Sequence, residues 1–175
     1  MMTTKNANDL SMVNLENRVA NGHRDAMVQY LAASLTQGLT NSELMRRYQL
    51  VWVSDHGNDS MVLRNLAFVA AAAGEFERSF AHAEDFESSD FYPDAMHTAL
   101  AVIERGRVEE HKRALAILTR LAKKRHIMSQ VHLRYQETKD GGISKKFHFF
   151  LYRIAKLIQA SILVLRNPKD PRVQV

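Results

Sequence analysis

The sequence predicts an all-α protein: an α–α superhelix, or solenoid, of about four antiparallel helix pairs, closed by a long apolar C-terminal helix. Three observations carry this. Apolar residues recur with the 3.6-residue period of amphipathic helices in run after run. Breakers are scarce, with 7 Gly and 3 Pro among 175 residues, and they fall between the runs. The runs also repeat, with leucines at positions 31, 66, 100 and 133 spaced 35, 34 and 33 apart.

The clearest unit is 94–122, two amphipathic helices broken at Gly106. In chain order, residues 1–8 read as a disordered tail, and Asp9 offers a cap for a first helix reaching Ala20 before Asn21-Gly22. A second helix starts near Asp25 and stops at Gly38. Asn41-Ser42 caps a third, which carries Leu44, Met45, Tyr48, Val51 and Trp52 toward Gly57. Asp59 or Ser60 caps a fourth, rich in alanine up to Ala73 and closed by Gly74. Its small side chains allow close helix approach, which places it in the interior. A fifth, acidic helix runs from Glu75 to Glu87 with Phe76, Phe80 and Phe86 on its buried side. Pro93 suits the first turn of a sixth, which ends at Arg105. A seventh spans 108–124 and an eighth spans 127–139, ending at Gly141-Gly142. Ser144 caps a last helix over 145–165, stopped by Asn167-Pro168. The single domain is therefore expected over 9–166, with 167–175 a second disordered tail.

The first helices of successive pairs align. Residues 25–32 (DAMVQYLA) match 60–67 (SMVLRNLA) and 94–101 (DAMHTALA), with a fainter copy at 127–134 (IMSQVHLR). A glycine follows each: Gly38, Gly74, Gly106 and Gly142. A two-helix unit with a period near 34 is the mark of tetratricopeptide-type solenoids. One helix pair cannot bury its apolar face alone, so copies must stack.

In the third unit, Ala95, Leu100, Ala101 and Gly106 are followed by Ala114, Ile117, Leu121 and Ala122. That pattern resembles Sel-like repeats, relatives of tetratricopeptide repeats, and the resemblance covers about 22–160. The glycine usual after the anchoring leucine is alanine three times and arginine once. The resemblance implies a non-enzymatic, protein–protein interaction scaffold with a concave groove for a protein or peptide partner, and no catalytic residues to carry over. By register, the residues expected to face solvent in that groove are Gln29, Arg64, His97 and Gln130, two or three positions before each leucine.

Composition bounds the alternatives. With 46% apolar and 25% charged residues the chain is globular. It holds no cysteine, so disulfides and thiolate metal or redox sites are excluded. This suits a reducing, cytoplasmic setting, and the polar N-terminus lacks the apolar core of a signal peptide. Of 8 histidines none forms His-Glu-x-x-His or pairs at i,i+4 with a matching carboxylate. No phosphate-binding glycine loop and no motif for a nucleophile occurs. The sequence therefore points to no metal, no cofactor and no enzyme.

Charge is split. Residues 1–104 hold 7 Lys/Arg against 14 Asp/Glu, and residues 105–175 hold 17 against 5. Arg113, Arg120, Lys123, Lys124, Arg125, Lys145 and Lys146 form a basic patch suited to a phosphate backbone. Nucleic acid is thus the second expectation, although no recognition helix or set of stacking aromatics accompanies the patch.

The last helix is apolar over much of its circumference. Arg153, Lys156 and Gln159 make one narrow polar stripe. Two central charges, at roughly 2.5–3.5 kcal/mol each, argue against a transmembrane segment. The expectation is burial between neighbours at the end of the stack. A homodimer seam over residues 147–165, or docking on a membrane surface, follows behind.

Overall fold

The computed structural model describes residues 4–54 and 59–173, with side chains from Met12 onward. Among these residues the chain is all-α, with nine helices and no strand: α1 (Thr4–Ala20), α2 (Arg24–Thr36), α3 (Asn41–Ser54), α4 (Ser60–Ala72), α5 (Phe76–Ser88), α6 (Tyr92–Arg105), α7 (Val108–Lys123), α8 (Ile127–Thr138) and α9 (Ile143–Arg166). Seven of the nine helices fall within a few residues of the sequence expectation at both ends, and α3 does so at its start. The exception is α1, which begins at Thr4 and takes in Asp9. No Gly or Pro stands between Thr4 and Ala20 to stop the helix earlier. The expected end of the third helix at Gly57 lies outside the described residues.

By their internal contacts the helices gather into two compact units, Met1–His82 and Ala83–Val175. In the first, α1 packs on α2 and α3, α2 on α3 and α4, and α3 on α4. Its core is built from Val19, Tyr30, Leu31, Val51, Leu66 and Val69, all essentially solvent-free. Ala67, Ala70 and Ala71 of α4 are fully buried, as its alanine content predicts. Trp52, expected in the apolar set, is half exposed; Val51 fills the core and Trp52 stacks on Tyr48 at 6.1 Å.

Polar groups at the edge of this core are satisfied. The Tyr30 hydroxyl donates to Glu16 Oε1 at 2.5 Å, and Arg46 donates to the same oxygen at 2.6 Å. Arg47, buried, donates to Ser34 Oγ and Gln37 Oε1 and lies over the Tyr30 ring. Burial and the Glu16 bond push the Tyr30 hydroxyl pKa well up, while the Tyr30 hydrogen bond holds the Glu16 carboxyl down.

The helix ends follow the capping signals where glycine or aspartate supplies them. Asp59 accepts from the Met61 and Val62 amides, as expected of an N-cap. Gly22, Gly38 and Gly74 all adopt positive φ. At Gly22 and Gly74 the next residue's amide reaches back to close the helix: His23 N–H to Arg18 O, and Glu75 N–H to Ala70 O. Two expected caps differ. Thr40, not Ser42, accepts from the Glu43 amide, and α9 starts from Gly142 without a side-chain cap, leaving Ser144 inside the first turn.

In the second unit α6 packs on α7, α7 on α8 and α8 on α9. Met96, Ala99, Ile117, Leu118, Leu121 and Ile127 form its core. Leu31 and Leu66 are fully buried in the first unit, but here Leu100 and Leu133 are only half-buried, and Ala99 takes the inner place beside Leu100. Gly106, where the sequence breaks the two helices, ends α6 without a left-handed φ. Its φ is −75, and glycine is needed there for space, since a Cβ would sit 2.8 Å from the Val102 carbonyl oxygen. The left-handed positions are instead Asp90 and Arg125, with φ of 61 and 68. Behind Arg125, His126 is fully buried and caps α8, its Nδ1 2.7 Å from Ser129 Oγ.

Residues 167–173 belong to the segment expected as a disordered tail. This segment turns back onto α8: the Arg172 carbonyl accepts from the Ile127 amide at 2.9 Å, and Val173 is 7% exposed. Asp170 holds the turn. It accepts from the Arg172 amide at 3.0 Å and pairs with the Arg172 guanidinium, which pulls its carboxyl down to about 2.

Candidate interaction surface

Helix α9 has no buried residue, so the expectation that its apolar surface is sandwiched at the end of the stack is overturned. Length gives the physical reason. Its 24 residues extend about 36 Å, whereas the 12-residue α8, its principal neighbour, extends about 18 Å.

The orientation of α9 is the informative feature. The half-buried residues of α9 are Phe149, Tyr152, Lys156, Ala160 and Leu163. They share one side at steps of three and four. Phe149 lies 5.7 Å from the Tyr135 ring, and Tyr152 lines a 310 Å³ cleft with Ala122, Gln130, Leu133, Arg134 and Glu137. Lys156 sits on this inner side, its ammonium 3.0 Å from Gln159 Oε1 and over the Tyr152 ring. The Arg153–Lys156–Gln159 stripe is therefore centred toward the body, and the broad apolar face points out. Phe147, Phe150, Leu151, Ile154, Leu157 and Ile158 are each 40–58% exposed, with Ile162 and Leu165 continuing the face. An ordinary surface helix does the reverse.

One polar residue, Ser161, interrupts the outward face. Its hydroxyl donates to the Leu157 carbonyl at 3.0 Å, so its polarity is turned onto the helix backbone. Cations border the face. About 100° per residue places Lys146 and Arg153 along one flank and His148 and Arg166 along the other. Between 143 and 166 there are five Lys/Arg and no Asp or Glu. α9 is also the one helix among the described residues long and apolar enough to cross a membrane.

The residues expected to line a groove fare differently. Gln29 is exposed and Arg64 half-buried, both in the first unit. In the second unit His97 and Gln130 are half-buried. Gln130 does not face solvent freely: its amide donates to the Ala122 carbonyl at 3.0 Å and its own oxygen is buried. His97 lies near His132, whose imidazole is held below its ordinary pKa by burial, with the His97 and Arg153 charges adding to it.

The basic patch is partly consumed within the second unit. Arg120 reaches Glu87 at 2.9 Å, Lys124 reaches the same carboxylate at 3.5 Å, and Arg113 stands 3.8 Å from Glu84. The spacing of these three cations along α7 matches the acidic end of α5. Lys123, Arg125, Lys145 and Lys146 remain exposed. Among the described residues no group of three or more His, Asp or Glu is placed to hold a metal ion.

Sequence reasoning found the apolarity of α9 but not its outward aspect. The signal was present: the polar stripe is too narrow to be the solvent side of a helix this apolar. No protein-family model, curated protein or solved structure matches this chain.

Proposed function

We propose that this chain is a non-catalytic docking protein, with a body of the tetratricopeptide or Sel-like repeat type and α9 as its binding element. The repeat reading is supported by polar contacts that span one period. Arg24 pairs with Asp59, 35 residues on; Tyr48 meets His82 at 3.0 Å, 34 on; Arg120 pairs with Glu87 across 33. Contacts at one period are what stacking of like units produces.

The observation that carries the docking reading is the outward apolar face of α9. The outer face of a surface helix is ordinarily polar. This chain presents ten large, exposed apolar side chains there instead. Contiguous apolar surface of this extent marks a binding site. The groove candidates make a weaker case, since Gln130 is already engaged.

The test is site-specific photocrosslinking in cells expressing the chain, with the crosslinker at Leu157 or at Gln29. The reading predicts strong adducts at Leu157 and few at Gln29. Adducts at Gln29 alone would move the binding site to the helix faces first expected from register.

A further inference from the structure

Resting on the docking reading, we infer that the occupant of the α9 face is an anionic membrane surface, with the helix lying in the interfacial plane. Three observations point to lipid and not to a second copy or a spanning segment.

The first is charge. All five ionisable Lys/Arg of α9 are cationic and no acid accompanies them. Two copies joined face to face would bring Lys146, Arg153 and Arg166 of each against like charges. Helices that pair with themselves use acids and bases in alternation along their flanks. Anionic headgroups supply the missing countercharge, and each basic side chain near such a surface strengthens binding. Among the described residues none of Lys145, Lys146, Arg153 and Arg166 has a carboxylate partner inside the chain.

The second is placement. The apolar face points away from the body, and the cations stand at its two edges. Laid on a bilayer, such a helix sinks its Phe, Leu and Ile side chains about 5–10 Å below the headgroups. Lys146 and Arg153 then extend their aliphatic stems along the boundary and leave their charges at phosphate level. The folded body stays on the water side, attached through Phe149, Tyr152 and Leu163.

The third separates lying from spanning. Arg153 and Lys156 fall at the middle of the helix, and Lys156 is tied to Gln159 and Tyr152 on the side that holds the body. The turn at 167–173 also returns to Ile127 at the start of α8, so both ends of α9 stay with the folded body. A span would require breaking that return.

The experiment is flotation of the purified full chain with vesicles of phosphatidylcholine alone or mixed with phosphatidylserine, across a salt series. The expected result is binding to the mixed vesicles, weakened by salt, with little binding to phosphatidylcholine. Ile154→Glu with Ile158→Glu should reduce binding more than tenfold. Lys146→Glu with Arg153→Glu should reduce it about tenfold and flatten the salt dependence. All four positions are exposed, so circular dichroism should show wild-type helicity in both variants.

Equal binding to both vesicle types would overturn the electrostatic part of the assignment. Failure to bind any vesicle, with light scattering showing a dimer that Ile158→Glu dissociates, would replace the membrane by a second copy and leave the docking reading standing. Bound protein that resists both high salt and alkaline extraction would replace the interfacial helix by a span.

Discussion

Helices α4 and α9 are the two most apolar helices of the chain, and they have opposite fates. In α4, Val62, Leu66, Ala67, Val69, Ala70 and Ala71 are solvent-free; in α9 nothing is buried. Apolarity alone therefore does not decide burial here. Packing neighbours and side-chain size do. α4 follows α2 and α3 and is packed by both, and its alanines let those backbones come close. α9 has α8 on one side and carries Phe, Leu and Ile too large to be covered by a neighbour half its length. The lesson is that a helix's exposure is set by the neighbours that pack on it.

The comparison can be broken most sharply by truncating side chains in each helix. Leu66→Ala in α4 should cost about 2–5 kcal/mol of stability, because it leaves a cavity in a close-packed core. Leu157→Ala in α9 should change stability by less than about 0.5 kcal/mol, as at other exposed sites. Urea unfolding of both variants checks this, and comparable losses would mean that α9 is covered in solution.

A smaller effect concerns what holds α9 in place. Val173→Asp puts a charge into the buried contact of the returning segment and should destabilise the second unit by about 1–3 kcal/mol. Thermal unfolding followed by circular dichroism reads this. The same segment carries a pH dependence. The Asp170 carboxyl is held at about 2 in the folded chain against an ordinary 3.8, so its stabilising contribution is complete above that ordinary value and fades as pH falls toward 2. Asp170→Asn should flatten the stability profile over that acid interval and lower stability at neutral pH, where the contribution of the charged carboxylate is complete.

The smallest effect has the opposite sign. Arg125 occupies a left-handed backbone conformation that a side chain disfavours. Arg125→Gly should stabilise the chain by about 0.5 kcal/mol after the entropy cost of glycine is subtracted. A lowered melting temperature would show that the arginine side chain contributes contacts outweighing its strain.

Much of the fold was legible because its signals are local. Asp59 caps α4 through its own carboxylate, Gly22 and Gly74 end helices through their own φ, and the alanines of α4 announce close packing. What was not legible depends on partners distant in the sequence. Asp90 and Arg125 take the left-handed position where the Phe91 and His126 amides reach back to Phe86 and Leu121, and neither residue type advertises it. Leu100 yields the innermost place to Ala99, although the leucine spacing marks Leu100 as the anchor. The tail at 167–173 reads as disordered from composition, yet the Arg172 carbonyl finds the unsatisfied first amide of α8. For the candidate site the sequence supplied the apolar face and the cations of α9. Which side meets the body depends on Tyr135 and the cleft beside it, and that is a fact of packing.

The claim on which the account turns is that the Ile154 side of α9 is open to water in the isolated protein. The chain has no cysteine, so a single Ile154→Cys thiol reports accessibility without background, with Leu66→Cys as the buried reference. The account predicts that the thiol at 154 reacts with a water-soluble maleimide at nearly the rate of a free thiol, in dilute monomeric protein, while the one at 66 reacts orders of magnitude more slowly. Equal protection at the two positions would contradict it.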